Sequence, residues 1–462
     1  MTFGGVHVKL TINGQAVVAQ PGDTIYTAAR RAGIEIPSLC ASEHLAPFGS
    51  CRLCLCEIEG RPGTPASCTT PVQEGLNVST TSERLVRHRR NIIELYLSEQ
   101  SEGGQQASVL TELAQALGVQ TVRYRQPERR RTYEDVSNPF FSFRNDLCVS
   151  CARCVRACEE IQGTNALTMA GRGFRAFPAA GAAWLTDSAD GFASSNCVSC
   201  GACVKECPTG ALTEKSVLER GRPDRFVRTV CAYCGVGCAF NAGLRDGQVV
   251  QMIPADDGPS NLGHACMKGR FGWTYITAPD RLRTPLMRDG KTWKELPWDE
   301  ALDRVAREFS RIKDAYGPDA LAAISSSRGT KFMRCVIGTN HIDNCARVCH
   351  SATVTGMMET LGASAATNSI EDIDVAKLIM VVGANPTESH PVVGARIKRA
   401  HRRGVPLIVI DPRRIELARL ADLPQVVVDD RAHAPEHSLE VHLPFLQQVL
   451  GTFELVDRKS VV

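Results

Sequence analysis

The sequence predicts a multidomain chain of mixed α+β and α/β class, with small cysteine-loop domains first and a parallel-sheet α/β domain after them. Three observations predict it. Sixteen of the twenty cysteines form four groups of four at iron-sulfur ligand spacings. The chain opens on a period-two ribbon followed by a short capped helix. After the last cysteine group, amphipathic helices and continuous apolar strands alternate.

A length of 462 residues suits about three domains. The formal charge of +3 leaves no nucleic-acid footprint. The basic clusters RLVRHRR (84–90) and ERRR (128–131) read as a solvated helix face and a linker, with docking to an acidic partner as the alternative. No apolar run approaches the roughly 18 residues a membrane span needs. The opening MTFGGVHVKLTINGQ lacks a signal-peptide core, so a soluble cytoplasmic chain with reduced thiols is expected.

Residues 6–12 alternate as VHVKLTI, Asn13-Gly14 is a hairpin turn and QAVVA returns. Asp23 or Thr24 then starts the helix IYTAARRAG, which Gly33 ends. SERLVRHRRNIIELYL (82–97) is a capped amphipathic helix, TELAQALG (111–118) another, and the polar stretch 120–140 a linker. Farther on, DEALDRVAREFSRIKDAYG reads as an amphipathic helix. Two βα units follow, AKLIMVVGANPTESHPVVGARIKRAHRRG and VPLIVIDPRRIELARLAD. Their continuous apolar strands require a parallel sheet covered on both faces.

The first cysteine group is Cys40, Cys51, Cys54 and Cys68, with Gly49 beside it on an irregular loop. Such thiolates converge on two irons or on one zinc, and spacing leaves both open. Cys56 takes an apolar position and reads as core. Two runs of C-x2-C-x2-C-x3-C follow, the pattern in which each fourth cysteine serves the other cube. One cube is therefore assigned Cys148, Cys151, Cys154 and Cys207, and its neighbour Cys197, Cys200, Cys203 and Cys158. Adjacent clusters relay electrons and do nothing for hydrolysis. A third cube is expected on Cys231, Cys234, Cys238 and Cys266. In the α/β part, the loops GANPTESH and DPRR lie beyond the strand ends where such sheets bind ligands. They offer Gly383 for close approach, Asn385 and Glu388 for hydrogen bonds and Asp411 as acceptor in a cofactor-binding role.

With these motifs in view, the chain from about residue 5 to 425 resembles the alpha (large) subunit of soluble, NAD-linked molybdenum or tungsten formate dehydrogenases. The resemblance rests on IPSLC…CRLCLCEIEG…CTTPV, the two ferredoxin runs, VCAYCGVGC…CMKGRFG, and above all GTNHIDNCARVCHSATVTGM (338–357). It implies a [2Fe-2S] β-grasp domain over 1–80, a helical segment and linker over 81–140, and a two-[4Fe-4S] ferredoxin domain over 141–218. A [4Fe-4S] domain over 225–281 and an incomplete molybdopterin-binding α/β domain over 282–425 would follow. It further implies that Cys349 binds molybdenum or tungsten in a bis-molybdopterin guanine dinucleotide cofactor, that His350 handles the proton, and that Lys268 lies between the nearest cube and a pterin. Formate is then oxidised to carbon dioxide, since the metal and its dithiolenes accept two electrons and no side chain can. Electrons leave singly through the Cys231 cube, the ferredoxin cubes and the [2Fe-2S] centre. The implied partners are a flavoprotein that reduces NAD and a small iron-sulfur subunit, because no G-x-G-x-x-G follows a strand here.

The chain departs from the pattern in three places. Gln100 stands where relatives carry the histidine of a further cube, and SEQSEGGQQASVL has no cysteine, so that centre is expected to be absent. SSSRGTKFMRCVIGTN is shorter than the family pattern between Arg328 and Phe332. From Val426 onward the sequence resembles a Memo-family fragment and ends on DRKSVV, which suggests a chimeric or truncated reading frame and an inactive chain. Two other readings stand beside formate oxidation. One is a non-catalytic relay like the large iron-sulfur subunit of respiratory complex I, which would need no Cys349-His350. The other is a molybdopterin oxidoreductase acting on nitrate or another oxoanion.

Overall fold

The structure is a computed structural model that describes residues 7–100, 108–124, 133–181, 191–325, 327–411 and 413–421. The expected foreign tail (426–462), ERRR and most of the Gln100–Ser108 stretch lie outside the described residues. The chain divides into two compact units, Met1–Trp273 with Ile373–Val462, and Thr274–Asp372.

The first unit opens with strands β1 (Val8–Ile12) and β2 (Gln15–Ala19), paired antiparallel from Val8 opposite Ala19. Asn13 and Gly14 both take positive φ, 53° and 81°, as a two-residue hairpin turn demands. The ribbon is half of a larger sheet: β3 (Glu57–Ile58) and β4 (Asn77–Ser79) complete the order β2-β1-β4-β3, with β1 and β4 parallel. Helix α1 (Ile25–Arg31) is capped by Thr24 in a reciprocal capping box with Thr27 and buries Ile25, Ala28 and Ala29 against this sheet. Helix α2 (Glu83–Ser98) starts at Ser82, as its sequence predicts. Helix α3 (Val109–Ala116) begins two residues before the predicted stretch because Ser108 caps it with Thr111.

Next, β5 (Glu134–Asp135), β6 (Phe141–Arg144) and β9 (Leu212–Glu214) form one antiparallel sheet. β7 (Leu167–Ala170) and β8 (Phe177–Ala180) form a second. The expected linker therefore ends by Tyr133, whose N–H donates to Asn145 Oδ1 at 2.8 Å, while Asp135 accepts from the Phe192 N–H at 3.0 Å. A three-stranded meander follows, β10 (Arg225–Val230), β11 (Ala239–Arg245) and β12 (Gln248–Pro254), and then the short helix Met267–Phe271.

The second unit carries the hairpin β13 (Leu286–Asp289) and β14 (Thr292–Glu295), helix α4 (Trp298–Tyr316), and a parallel bridge of β15 (Ala323–Ile324) with β16 (Ile342–Asp343). The backbone of Ser327–Lys331 is helical and runs into a π-helical turn over Phe332–Ile337. Helix α5 (Ser351–Leu361) closes the unit.

Back in the first unit, β17 (Ile379–Val382) and β18 (Leu407–Ile410) pair in parallel, joined by helix α6 (Pro391–Arg402). Two expectations fail here. The second βα unit has no long helix among its described residues: after β18 there is a single 3-10 turn at Leu417–Arg419, with Ile415 and Leu417 buried two positions apart. Nor are both faces covered. Val381, Leu407 and Val409 are buried against Ile397, whereas Met380, Val382 and Ile410 are more than half exposed.

Candidate metal centres

The first cysteine group converges in a buried loop. Gly49 and Arg52, both at positive φ, turn the chain around Cys51. The Leu39 N–H reaches Cys51 Sγ at 3.4 Å and the Cys51 N–H reaches Cys40 Sγ at 3.3 Å. The sulfurs also meet one another. Hydrogen bonds from the Cys51 and Cys68 thiols hold Cys40 down at about 2, and that same bond to Cys40 pushes Cys51 up. Cys56 stands apart: burial pushes it up to about 11 and its thiol reaches the Pro65 carbonyl at 3.6 Å, in keeping with a core role.

α2 holds this loop in place. Its Arg89, 3% exposed, donates to the carbonyls of Leu53 at 2.8 Å, Leu55 at 2.8 Å and Thr80 at 2.6 Å. From the ferredoxin region, Arg156 donates to the Ala46 carbonyl at 2.7 Å and to the Cys40 carbonyl, with its guanidinium over the Phe48 ring. Asp256 bonds His44 at 2.7 Å and pairs with Lys205, so one carboxylate joins the first, second and third cysteine regions.

The two ferredoxin runs adopt one local geometry twice. Ser150 and Ala152 in the first, Ser199 and Gly201 in the second, all have positive φ between 51° and 72°. That turns the intervening N–H groups inward: Ser150 donates to Cys148 Sγ at 3.3 Å and Ser199 to Cys197 Sγ at 3.4 Å. A cavity of about 310 Å³ is lined by Cys148, Cys151, Cys154 and Cys207. A second, of about 320 Å³, is lined by Cys158, Cys197, Cys200 and Cys203. The fourth cysteines thus face the cavities of each other's runs, as the spacing implies. Burial pushes Cys151 and Cys200 up to about 12, so cluster loading must release protons there.

A third cavity of about 500 Å³ is lined by Cys231, Cys234, Cys238, Cys266 and Lys268, together with Ser389, Pro391 and Val392. Among the described residues no three His, Cys, Asp or Glu side chains close on a single ion. Each of these three thiol sets lines a cavity of its own, which fits a polynuclear cluster.

Packing orders the groups. Cys40 and Cys51 share a core with Val149 and Cys151, beside Tyr96, whose hydroxyl reaches the Cys51 carbonyl at 3.4 Å. At the other end, the helix Met267–Phe271 starts at Cys266 and sends Phe271 into the core that holds Phe140 and Phe141. The series in space is therefore the Cys231, Cys197, Cys148 and Cys40 groups.

The remaining predicted residues are less assembled. Gly383 has φ 57° and donates its N–H to the Ile410 carbonyl at 2.8 Å. Asn385 accepts from the Thr387 hydroxyl at 2.8 Å, Glu388 is exposed, and buried Asp411 accepts from the Arg413 N–H at 2.8 Å. All four lie at the carboxyl ends of β17 and β18. In the second unit, Cys349 ends a short helix, and both it and His350 are exposed, as are Cys335 and Cys345. Gln100 donates to the Leu147 carbonyl at 2.9 Å. Sequence reasoning missed Arg89, Arg156 and two ion pairs beside the ferredoxin cysteines, half-buried Arg153 with Glu206 at 2.6 Å and fully buried Arg270 with Glu214 at 2.8 Å. For Arg153, Arg156 and Arg270 the available signal was an arginine within or just after a cysteine motif; Arg89 had none.

Comparison with known proteins agrees with this layout. Residues 5–83 match a 2Fe-2S iron-sulfur cluster binding domain, 147–211 a 4Fe-4S dicluster domain, 224–278 a molybdopterin oxidoreductase Fe4S4 domain and 281–426 the molybdopterin oxidoreductase family. The chain is 32% identical to "Probable oxidoreductase YjgC" of Bacillus subtilis (strain 168), over 90% of this chain and 47% of that protein. It is 30% identical to "Putative formate dehydrogenase SAB2186c" of Staphylococcus aureus (strain bovine RF122 / ET3-1), again over 90% and 47%. The chain therefore spans about half the length of these relatives. An NAD+-reducing [NiFe]-hydrogenase structure is similar at 32% identity over 45% of this chain and 87% of that one, with a TM-score of 0.39. No helix among the described residues is long and apolar enough to cross a membrane.

Proposed function

We propose that this chain, built of iron-sulfur and molybdopterin oxidoreductase domains, belongs to a formate dehydrogenase and carries electrons from a molybdenum or tungsten site toward an NAD-reducing flavoprotein partner. The observation that carries the reading is the series of four thiol groups packed in one unit, three of them facing cavities of their own. The formate assignment rests on the stretch around Cys349 and on the name of the Staphylococcus relative.

The exposed Cys349 thiol is a soft donor of the kind a high-valent metal takes, and fits the metal of a bis-molybdopterin guanine dinucleotide. When bound, that cofactor would supply the two-electron acceptor that formate oxidation needs. His350 is placed next in sequence to receive the proton. Lys268 lines the third thiol cavity and would hold a pterin edge beside it. Gly383, Asn385, Glu388 and Asp411 would line the same cofactor from the strand ends. The N–H···S bonds at the first group and at the two ferredoxin runs stabilise reduced, more negative clusters. A [2Fe-2S] centre and three cubes amount to about 14 irons.

The test is anaerobic purification of the chain with metal analysis, followed by dye reduction with formate or nitrate. About 14 irons plus one molybdenum or tungsten, and formate-dependent reduction, support the reading. Full iron without the heavier metal makes the chain a relay alone, and nitrate-specific turnover replaces the substrate.

A further inference from the structure

We propose that the buried Arg270–Glu214 pair sets the reduction potential of the cube held by Cys158, Cys197, Cys200 and Cys203, and so tunes the middle of the relay. The proposal rests on the relay reading above. It makes Arg270 a positioning charge and not a catalytic residue.

The geometry places this guanidinium against the cluster loop. A Cβ on Gly201, between Cys200 and Cys203, would lie 2.4 Å from Arg270 Cδ and 2.5 Å from its Nε. Gly201 also has φ 72°, so glycine is needed both for the turn and for the approach of Arg270. The Arg270 side chain is 2% exposed and Glu214 0%. Water therefore screens neither charge.

Arg270 rides on the short helix that joins two centres. Cys266 stands at its N-terminal end, and a Cβ on Gly269 would lie 3.2 Å from Cys231 Sγ. Two residues after Gly269, Phe271 stacks on Phe140 at 4.8 Å in the ferredoxin core. One turn of helix thus touches the thiols of the third cube and presses a fixed positive charge on those of the second.

Transfer of one electron between these cubes makes and breaks no bond; it adds one negative charge to the acceptor and removes one from the donor. A guanidinium fixed beside the acceptor's thiolates favours the reduced form, and Glu214 offsets part of that effect. The first cube has a counterpart in Arg153–Glu206, whose arginine side chain is 17% exposed and better screened.

The experiment is an EPR-monitored redox titration of the full chain, purified anaerobically, with iron counted in each preparation. Glu214→Gln keeps the shape and the arginine, and is expected to move one cube's midpoint to a more positive potential. Arg270→Lys keeps the charge and should leave that midpoint close to the parent's. The double variant Arg270→Met/Glu214→Gln, which strands no buried charge, should move it below that of Glu214→Gln and of the parent. Glu206→Gln should shift a different cube's signal, and by less. Unchanged midpoints in both Glu214→Gln and the double variant at full iron content overturn the proposal while leaving the relay intact. Absence of cube signals in the parent chain overturns both.

Discussion

The two units obtain order in opposite ways. In the first, the cysteine loops have little regular secondary structure, yet all the thiols of the first group are buried and arginines from elsewhere bind their carbonyls. In the second, α4 spans 19 residues with none buried, and Leu302 and Val305 on it are at least half exposed. Its core among the described residues amounts to little more than Leu296, Met333 and Ile337. Regular structure and rigidity are thus separate properties: helices draw most of their stability from packing, and irregular loops can be rigid when long-range hydrogen bonds hold them.

The sharpest way to break this contrast is to disturb one glycine in each unit. Gly201→Val forces a branched side chain into a left-handed backbone and into Arg270, so loss of about four of about 14 irons is expected by metal analysis. Arg89→Leu should come next. It leaves three buried carbonyls without their donor, at about 1–3 kcal/mol each before relaxation, and the loss should appear as about two irons and the [2Fe-2S] EPR signal.

The opposite sign is expected in the second unit. Gly356 lies within α5 with open space where a Cβ would go, so Gly356→Ala should raise the stability of that helix by about 0.5–1 kcal/mol, read as slower amide exchange. If it weakens the helix instead, that face is covered and the contrast between the units fails.

The smallest effect concerns acid. Burial raises the Asp256 carboxyl, but the Lys205 and His44 bonds outweigh it and hold the group below 3.8. A depressed carboxylate contributes stability above its unfolded pKa and loses it as pH falls through the folded value. Acidification below pH 3.8 should therefore loosen the joint among the three cysteine regions slightly, because Asp256 is 57% exposed. Thermal unfolding of Asp256→Asn should show a smaller drop than the parent over the same acid range.

The cysteine groups were legible because ligand spacing is local and chemically restrictive. The exchange of Cys158 and Cys207 was legible for the same reason, and so were Ser82 and Asn13-Gly14, where a cap or turn needs only a few neighbours. The clamps were not, since Arg89 reaches carbonyls 34 and 36 residues away and no local pattern marks such a bond. The second βα helix was misread because IELARLAD has helical composition, whereas Ile415 and Leu417 are buried at a two-residue spacing that one 3-10 turn satisfies. The loops beyond β17 and β18 were legible only as strand ends. Their polar groups bond mainly to their own loops, so composition did not reveal which of them remain free for a ligand.

The exchanged fourth cysteines impose an order on biosynthesis. Cys148, Cys151 and Cys154 leave the ribosome early, yet their cavity lacks its fourth wall until Cys207, the last thiol of the eight, has emerged. By then Cys203 and its partners are already present, so neither cube can be finished well before the other. A chain stopped anywhere between residues 158 and 202 would hold no closed nest, and only four residues separate completion of the second set at Cys203 from completion of the first at Cys207.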